Sequence, residues 1–155
     1  MKLGVKGEVL IKRYEQLRLV AYAATEDERK RNIWTIGYGH TKGVKAGDTC
    51  TEEQAEQWFD EDTAAAIACV SNHVNITLSQ NEIDALVSFC FNVGPGRIDP
   101  HKDGFITSTL LKLLNTHAIE AAANEFVKWN KQSGAVVAGL TSRRLEERAL
   151  FLGDI

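Results

Sequence analysis

Four stretches of the sequence carry side chains that could do chemistry: Glu15, Thr35, the acidic run Glu26-Asp27-Glu28, and Thr141-Ser142-Arg143-Arg144-Leu145-Glu146-Glu147-Arg148. Each also has an ordinary reading. Glu15 could be a solvated helix carboxylate, Thr35 a strand residue bonded to a neighbour, and the acidic run a solvated loop. The last string could be an exposed helix face laced with i,i+3 and i,i+4 pairs. Taken together, two carboxylates and a hydroxyl suit acid–base cleavage of a glycosidic bond. One carboxyl group must be protonated to donate to the leaving oxygen, while the other stays ionised to stabilise positive charge at the anomeric carbon or to activate water. A threonine hydroxyl can hold that water without competing for the proton. The pattern alone is weak, because any acidic loop could supply it.

The elements that must position these groups follow from periodicity. Val5, Val9, Leu10, Tyr14 and Leu17 recur at helical spacing and predict a first helix from Val5 to Leu17. Glu15 stands at its C-terminal end, against the negative end of the dipole, which costs little if the side chain is exposed and pushes its pKa upward if it is partly buried. Arg18 to Tyr22 and Ile33 to Tyr38 predict two strands, with a third around Lys42 to Lys45, forming a small antiparallel sheet. Alternation puts Ile33, Thr35 and Gly37 on one side of the second strand, and Trp34, Ile36 and Tyr38 on the other. Gly37 and Gly39 permit a tight turn and a close approach of something else to the backbone. The polar segment from Ala23 to Asn32 lacks an apolar face and is expected to be a surface loop.

Downstream, the sequence reads as helix after helix. Thr51-Glu52-Glu53-Gln54 is a capping box opening a long helix to about Val70, with Ala55, Trp58, Phe59, Ala66, Ile67 and Val70 facing inward. Ser79-Gln80-Asn81-Glu82 is a second box, before an apolar helix from Ile83 to Val93 that Gly94-Pro95-Gly96 ends. A loop from Arg97 to Gly104 precedes a short helix begun by Thr107 or Ser108 and running through Leu114. Thr116 is expected to cap a helix reaching Trp129, and Lys131 to Gly139 to form a loop. Thr141 is expected to cap a last helix that turns Leu145, Ala149, Leu150 and Phe151 to the core. Segregated helices and sheet give the α+β class.

Composition narrows the function. The chain has 155 residues, 18 Lys and Arg against 21 Asp and Glu, and a net charge of −3, so no basic excess points to nucleic acid. Its length allows one domain with a substantial core. Cys50, Cys69 and Cys90 have no metal or redox spacing and read as free thiols of a protein made in a reducing cytosol. No run is long enough to span a membrane, and the first residues lack a secretory apolar region. Asn75-Ile76-Thr77 matches the glycosylation triplet, which in a cytosolic product is a chance match.

One resemblance covers nearly the whole chain in order. Tyr14-Glu15-Gln16-Leu17-Arg18-Leu19, Ala21-Tyr22 and Trp34-Thr35-Ile36-Gly37-Tyr38-Gly39-His40-Thr41 closely resemble the active-site hairpin of bacteriophage-type lysozymes, the endolysin muramidases. The match continues through Gly47-Asp48, Thr51 to Ala55, Asp84 to Phe89, Phe91 to Gly96, Ser108 to Leu111 and Phe126 to Asn130. It closes with Gly139-Leu140, Arg143-Arg144, Glu147 and Leu150-Phe151. The resemblance implies a mainly helical lysozyme-like fold in one catalytic domain: a small sheet-containing lobe at about residues 14–55, a connecting helix, and a larger helical lobe of 1–13 and 56–155. It implies that Glu15 is the general acid and that Thr35 positions the hydrolytic water. His40 would be structural, Phe91 and Asn92 would lie beside the sugar, and Arg143 would stand near the acid. Bacterial peptidoglycan is the implied partner, without cofactor, metal, nucleic acid or stable membrane insertion. The protein is expected to be a monomer that accumulates in the host cytoplasm and reaches the periplasm and wall through a holin-type permeabilising partner.

Three departures stand out. The family places an aspartate nine residues after the acid, and here that position is Ala24. Asp27, with its short and easily fixed side chain, and Glu26 are the carboxylates expected to replace it, in a loop longer than usual. Gln16 also replaces a usual glycine, and the Arg97 to Phe105 loop is longer than in the shortest members. Ala24 motivates a second reading, a wall-binding module that has lost catalysis.

Overall fold

The computed structural model describes all 155 residues as seven α-helices and two small antiparallel sheets. The chain forms two compact units, one of Ile11–Ala64 and the other of Met1–Leu10 with Ala65–Ile155.

Helix α1 spans Val5–Glu15, so it stops at Glu15 and Leu17 lies beyond it. Its buried residues are Gly7, Leu10 and Ile11, whereas Val5 and Val9 are exposed. The apolar spacing that predicted the helix therefore misjudged its inner face by about one position. Gln16 follows with φ 54°, a left-handed conformation that glycine adopts at less cost.

In the Ile11–Ala64 unit, β1 (Arg18–Tyr22) pairs antiparallel with β2 (Thr35–Gly37). The third segment is not at Lys42 to Lys45. It comes from 48–50, where the Ala21 amide donates to Asp48 at 2.8 Å and the Cys50 amide to Leu19 at 2.9 Å. Val44 and Asp48 instead form turns, because their amides bond to carbonyls only three residues back. The expected 23–32 loop contains a helix, α2 (Glu26–Lys30), capped by the Thr25 hydroxyl on the Glu28 amide at 3.1 Å. It has no buried residue, so local capping and charge at both ends, rather than an apolar face, hold it.

Helix α3 spans Glu52–His73, opened by the Gln54 amide on the Thr51 hydroxyl at 3.1 Å. Ala55, Phe59, Ala66 and Val70 are buried, and Trp58 and Ile67 half-buried.

The larger unit is organised around α4 (Gln80–Val93), whose capping box pairs Ser79 and Glu82 reciprocally. Every residue from Asp84 to Cys90 is buried. Asp84 accepts from the Gly4 amide at 2.7 Å and the Gly7 amide at 3.0 Å, satisfying two orphan donors at the start of α1. Phe89 meets Phe126 at 5.3 Å and Trp129 at 5.5 Å edge-on, the geometry that opposes ring edge to ring face. Burial pushes the Cys90 thiol upward, and neighbouring Cys69 adds to this, so Cys90 behaves as a protonated core side chain.

Two short helices follow, α5 (Thr109–Asn115), capped by Ser108, and α6 (Ile119–Glu125). Thr116 does not open α6. It closes α5, its hydroxyl donating to the Leu113 carbonyl at 2.8 Å. Lys131 to Gly139 is not all loop: β3 (Lys131–Gln132) and β4 (Ala135–Val136) form a hairpin around Ser133 and Gly134, both at positive φ. Helix α7 spans Ala138–Phe151, so Thr141 lies within its first turn instead of capping it. Leu145 is exposed, and the face it was expected to occupy is taken by Arg143, Arg144 and Glu147.

Those three charges are fully buried, Glu147 bonding Arg143 at 3.2 Å, Arg144 at 2.6 Å and the Ser88 hydroxyl at 2.7 Å. Removing the shared carboxylate leaves two buried cations without it. Glu147→Ala should therefore lower unfolding free energy by about 3–5 kcal/mol, read from urea denaturation. The left-handed residue gives a test of opposite sign: Gln16→Gly should raise stability by about 1 kcal/mol, seen as a higher thermal midpoint.

Candidate functional site

Glu15 is the last residue of α1 and is half-buried. Its carboxylate is set by a hairpin in which Ile36 and His40 exchange both backbone hydrogen bonds at 2.9 Å. Only Gly37, Tyr38 and Gly39 turn the chain between them, and the two glycines have φ 65° and 75°. A Cβ at Gly39 would lie 2.7 Å from Glu15 Oε1 and 2.9 Å from Cδ. The bare backbone thus leaves room that the carboxylate fills. This is the close approach that Gly39 predicted from the sequence.

The hairpin is braced from behind. Buried His40 places Nδ1 2.8 Å from Asp62 Oδ2, and its ring stacks on Trp58 with centroids 4.6 Å apart and planes 5° from parallel. Lys12 bonds Glu56 at 2.9 Å and stands over the rings of Tyr38 and Phe59. These contacts fix both sides of the turn that carries Gly39.

Thr35 opens β2 and pairs directly with Tyr22 of β1. Residues opposed in a ladder share a face, so Thr35 and Tyr22 project from the same side. Burial pushes the Tyr22 hydroxyl upward, the charge of Glu15 pushes it further, and Arg18 acts against them; Glu28 adds a smaller upward push. Arg18 lies 4.9 Å from the centre of the Tyr22 ring.

The three acidic residues of α2 do not share one environment. Asp27 is exposed and reaches Arg31 at 3.4 Å, one turn along the helix. Glu26 is exposed and lies 4.0 Å from Arg29. Glu28 is half-buried, and its Oε2 accepts from the Ala24 amide at 3.0 Å. The sequence places Glu28 in the acidic run but nominates Asp27 and Glu26 for the second carboxylate. The string Thr25-Glu26-Asp27-Glu28 has the capping-box form, Ser or Thr followed three residues later by Glu, which turns the fourth residue back toward the cap.

In the larger unit, Phe91 is half-buried near the end of α4, and exposed Asn92 accepts a hydrogen bond from Arg144. Arg144 also donates to the Trp129 carbonyl at 2.9 Å. Arg143 is buried against Glu147, with its guanidinium 3.4 Å from the Ser88 carbonyl. The charged string of α7 is therefore an internal network, not the solvated face its composition suggests. No group of three or more His, Cys, Asp or Glu side chains is arranged to hold a metal, and no helix is long and apolar enough to cross a membrane.

The chain has clear relatives. The phage lysozyme family profile matches residues 12–147. The endolysin of Acyrthosiphon pisum secondary endosymbiont phage 1 is 42% identical over 155 residues, covering 97% of this chain and 98% of that protein. The endolysin of Salmonella phage P22 is 38% identical over 157 residues, covering 98% and 99% respectively. Among solved structures, the muramidase domain of SpmX from Asticaccaulis excentricus is similar with a TM-score of 0.81 and 35% identity, over 97% of each chain. With a profile spanning most of the sequence and full-length relatives near 40% identity, the chain belongs to the phage lysozyme family of peptidoglycan-hydrolysing glycosidases.

Proposed function

We propose that this lysozyme cleaves the β-1,4 bond between N-acetylmuramic acid and N-acetylglucosamine, with Glu15 as the proton donor. The observation that carries the assignment is the Glu15 carboxylate seated 2.7 Å from where a Gly39 side chain would begin. A catalytic acid must be held within a fraction of an ångström, and a glycine left bare for a carboxylate does that.

Glu15 gives its proton to the leaving oxygen as the bond from that oxygen to the anomeric carbon breaks. Thr35 holds the water that supplies hydroxide to the anomeric carbon. A carboxylate of the 26–28 segment takes the other proton of that water or stabilises the developing cation. Asp27 and Glu26 are the residues that sequence reasoning nominates for it. A separation of about 6.5–9.5 Å between the two carboxyl groups goes with inversion, and about 5–5.5 Å with retention. The family resemblance assigns Phe91 and Asn92 to the sugar and places Arg143 near the acid. A monomeric state, accumulation in the host cytoplasm, and release to the wall with the help of a holin-type partner rest on the same resemblance. Lysis of the host cell is the outcome.

Glu15→Gln should slow the clearing of a peptidoglycan suspension by about 10²-fold or more while saccharide binding persists. A wild-type chain that binds saccharide yet clears nothing would instead make this a wall-binding module. Gly39→Ala should displace the Glu15 carboxylate and strain the turn at φ 75°, with a rate loss of about 10²-fold in the same assay.

A further inference from the structure

The residue at the family's aspartate position is Ala24, whose methyl group can neither take a proton nor oppose a positive charge. Its backbone amide, however, is occupied by a carboxylate, Glu28 Oε2 at 3.0 Å. We propose that Glu28, brought back onto Ala24 by helix α2, is the second carboxylate of the reaction. This rests on the assignment of Glu15 and Thr35 made above and names the partner that reading leaves open between Asp27 and Glu26.

Position separates the three acids of α2. Glu28 is tied to both ends of the catalytic hairpin. Its side chain accepts from Ala24, two residues beyond β1, and its main-chain carbonyl accepts from the Ile33 amide at 2.8 Å, two residues before β2. Its own amide is fixed by the Thr25 hydroxyl at 3.1 Å. Three hydrogen bonds thus define both its backbone and its carboxylate. Asp27 and Glu26 make their ion pairs with arginines of their own turn, and their side chains are about two-thirds or more exposed. Such pairs contribute little and hold a side chain loosely.

The sheet supports the same choice. Tyr22 pairs with Thr35, so the end of β1 leads directly from the water-holding face to Ala24 and its bound carboxylate. The Tyr22 hydroxyl, raised first by its burial, feels the charges of Glu15 and, more weakly, Glu28. The two carboxylates therefore stand within electrostatic reach of one phenol. A single amide bond leaves Glu28 with unused acceptor capacity toward water.

In the resulting reaction Glu15 protonates the leaving oxygen while water on Thr35 adds its oxygen to the anomeric carbon and passes a proton to Glu28. One water is consumed, one glycosidic bond is broken, and solvent exchange returns the proton from Glu28 to Glu15.

A capping residue and a catalytic base can be told apart. Gln at this position keeps an acceptor for the Ala24 amide and leaves the Thr25 cap on its own amide in place, but lacks the charge. Glu28→Gln should therefore keep the thermal midpoint and saccharide binding, yet lose about 10²-fold or more of kcat on a soluble glycan of alternating N-acetylglucosamine and N-acetylmuramic acid. Glu28→Ala should be rescued by sodium azide: azide bonds to the anomeric carbon, Glu15 protonates the departing oxygen, and glycosyl azide appears in the mass spectrum. An active Glu28→Gln enzyme, or an inactive Glu28→Ala enzyme that azide does not rescue, overturns the proposal. So does azide rescue of Asp27→Ala or Glu26→Ala in place of Glu28→Ala. If Glu15→Gln itself stays active, the underlying assignment of the acid has failed instead.

Discussion

A carboxylate oxygen of Glu15 lies 2.7 Å from the point where any side chain at Gly39 would begin, and the local architecture follows from that approach. The hairpin from Ile36 to His40 closes with three residues between its bonded ends, which requires left-handed backbone at Gly37 and Gly39. A turn this tight cannot move without breaking a pair of 2.9 Å hydrogen bonds, so it acts as a rigid stop for the carboxylate. His40 extends the rigidity away from the site, because its ring is clamped between Asp62 and the face of Trp58. The Glu15 carboxylate is thus seated by backbone shape, at a position where only a glycine leaves it room.

The larger unit meets a different constraint. Three charges on two turns of α7 are buried without any unsatisfied polar side-chain atom, because Ser88 and the Trp129 carbonyl complete the bonding that Glu147 alone could not. Such a network is worth little against a well-packed apolar core of the same volume, yet it is costly to break by halves. Arg144 illustrates the economy of the arrangement. One guanidinium bonds Glu147, Trp129 and Asn92, and also lies 5.1 Å from the ring centre of Phe89. Asn92 is thereby fixed at the end of α4 by a residue 52 positions away.

Much of this was legible in the sequence. The end of α1 near Glu15, the strand with Thr35, the glycine turn, the Thr51 cap of α3 and the capping box of α4 are local signals, and local signals survive folding. What could not be read depended on tertiary burial or on rules that compete. Val9 and Leu145 have apolar side chains at helical spacing but face solvent, while Arg143, Arg144 and Glu147 look like a surface and lie inside. Periodicity identifies a helix, but a narrow apolar stripe fixes its rotation poorly, and buried charge defeats the rule altogether. Thr116 and Thr141 show the limit of capping logic. A threonine near a helix end also serves as the closing residue of the previous helix, or sits within the first turn. Helix α2 was missed for another reason: a five-residue helix with no buried face has no period to detect.

That missed helix changes the meaning of the substitution at Ala24. An aspartate placed directly on the strand end needs only a short turn to reach β2. Here the turn is long enough to hold a helical turn capped by Thr25, and the Glu28 side chain folds back to the amide of Ala24, one residue before the cap. A carboxylate three or four residues downstream is therefore delivered to the backbone of the position that lost one. The Ala24 amide bonded to Glu28 is the physical trace of that exchange. The helical turn brings to the Ala24 backbone a carboxylate that the Ala24 side chain does not provide.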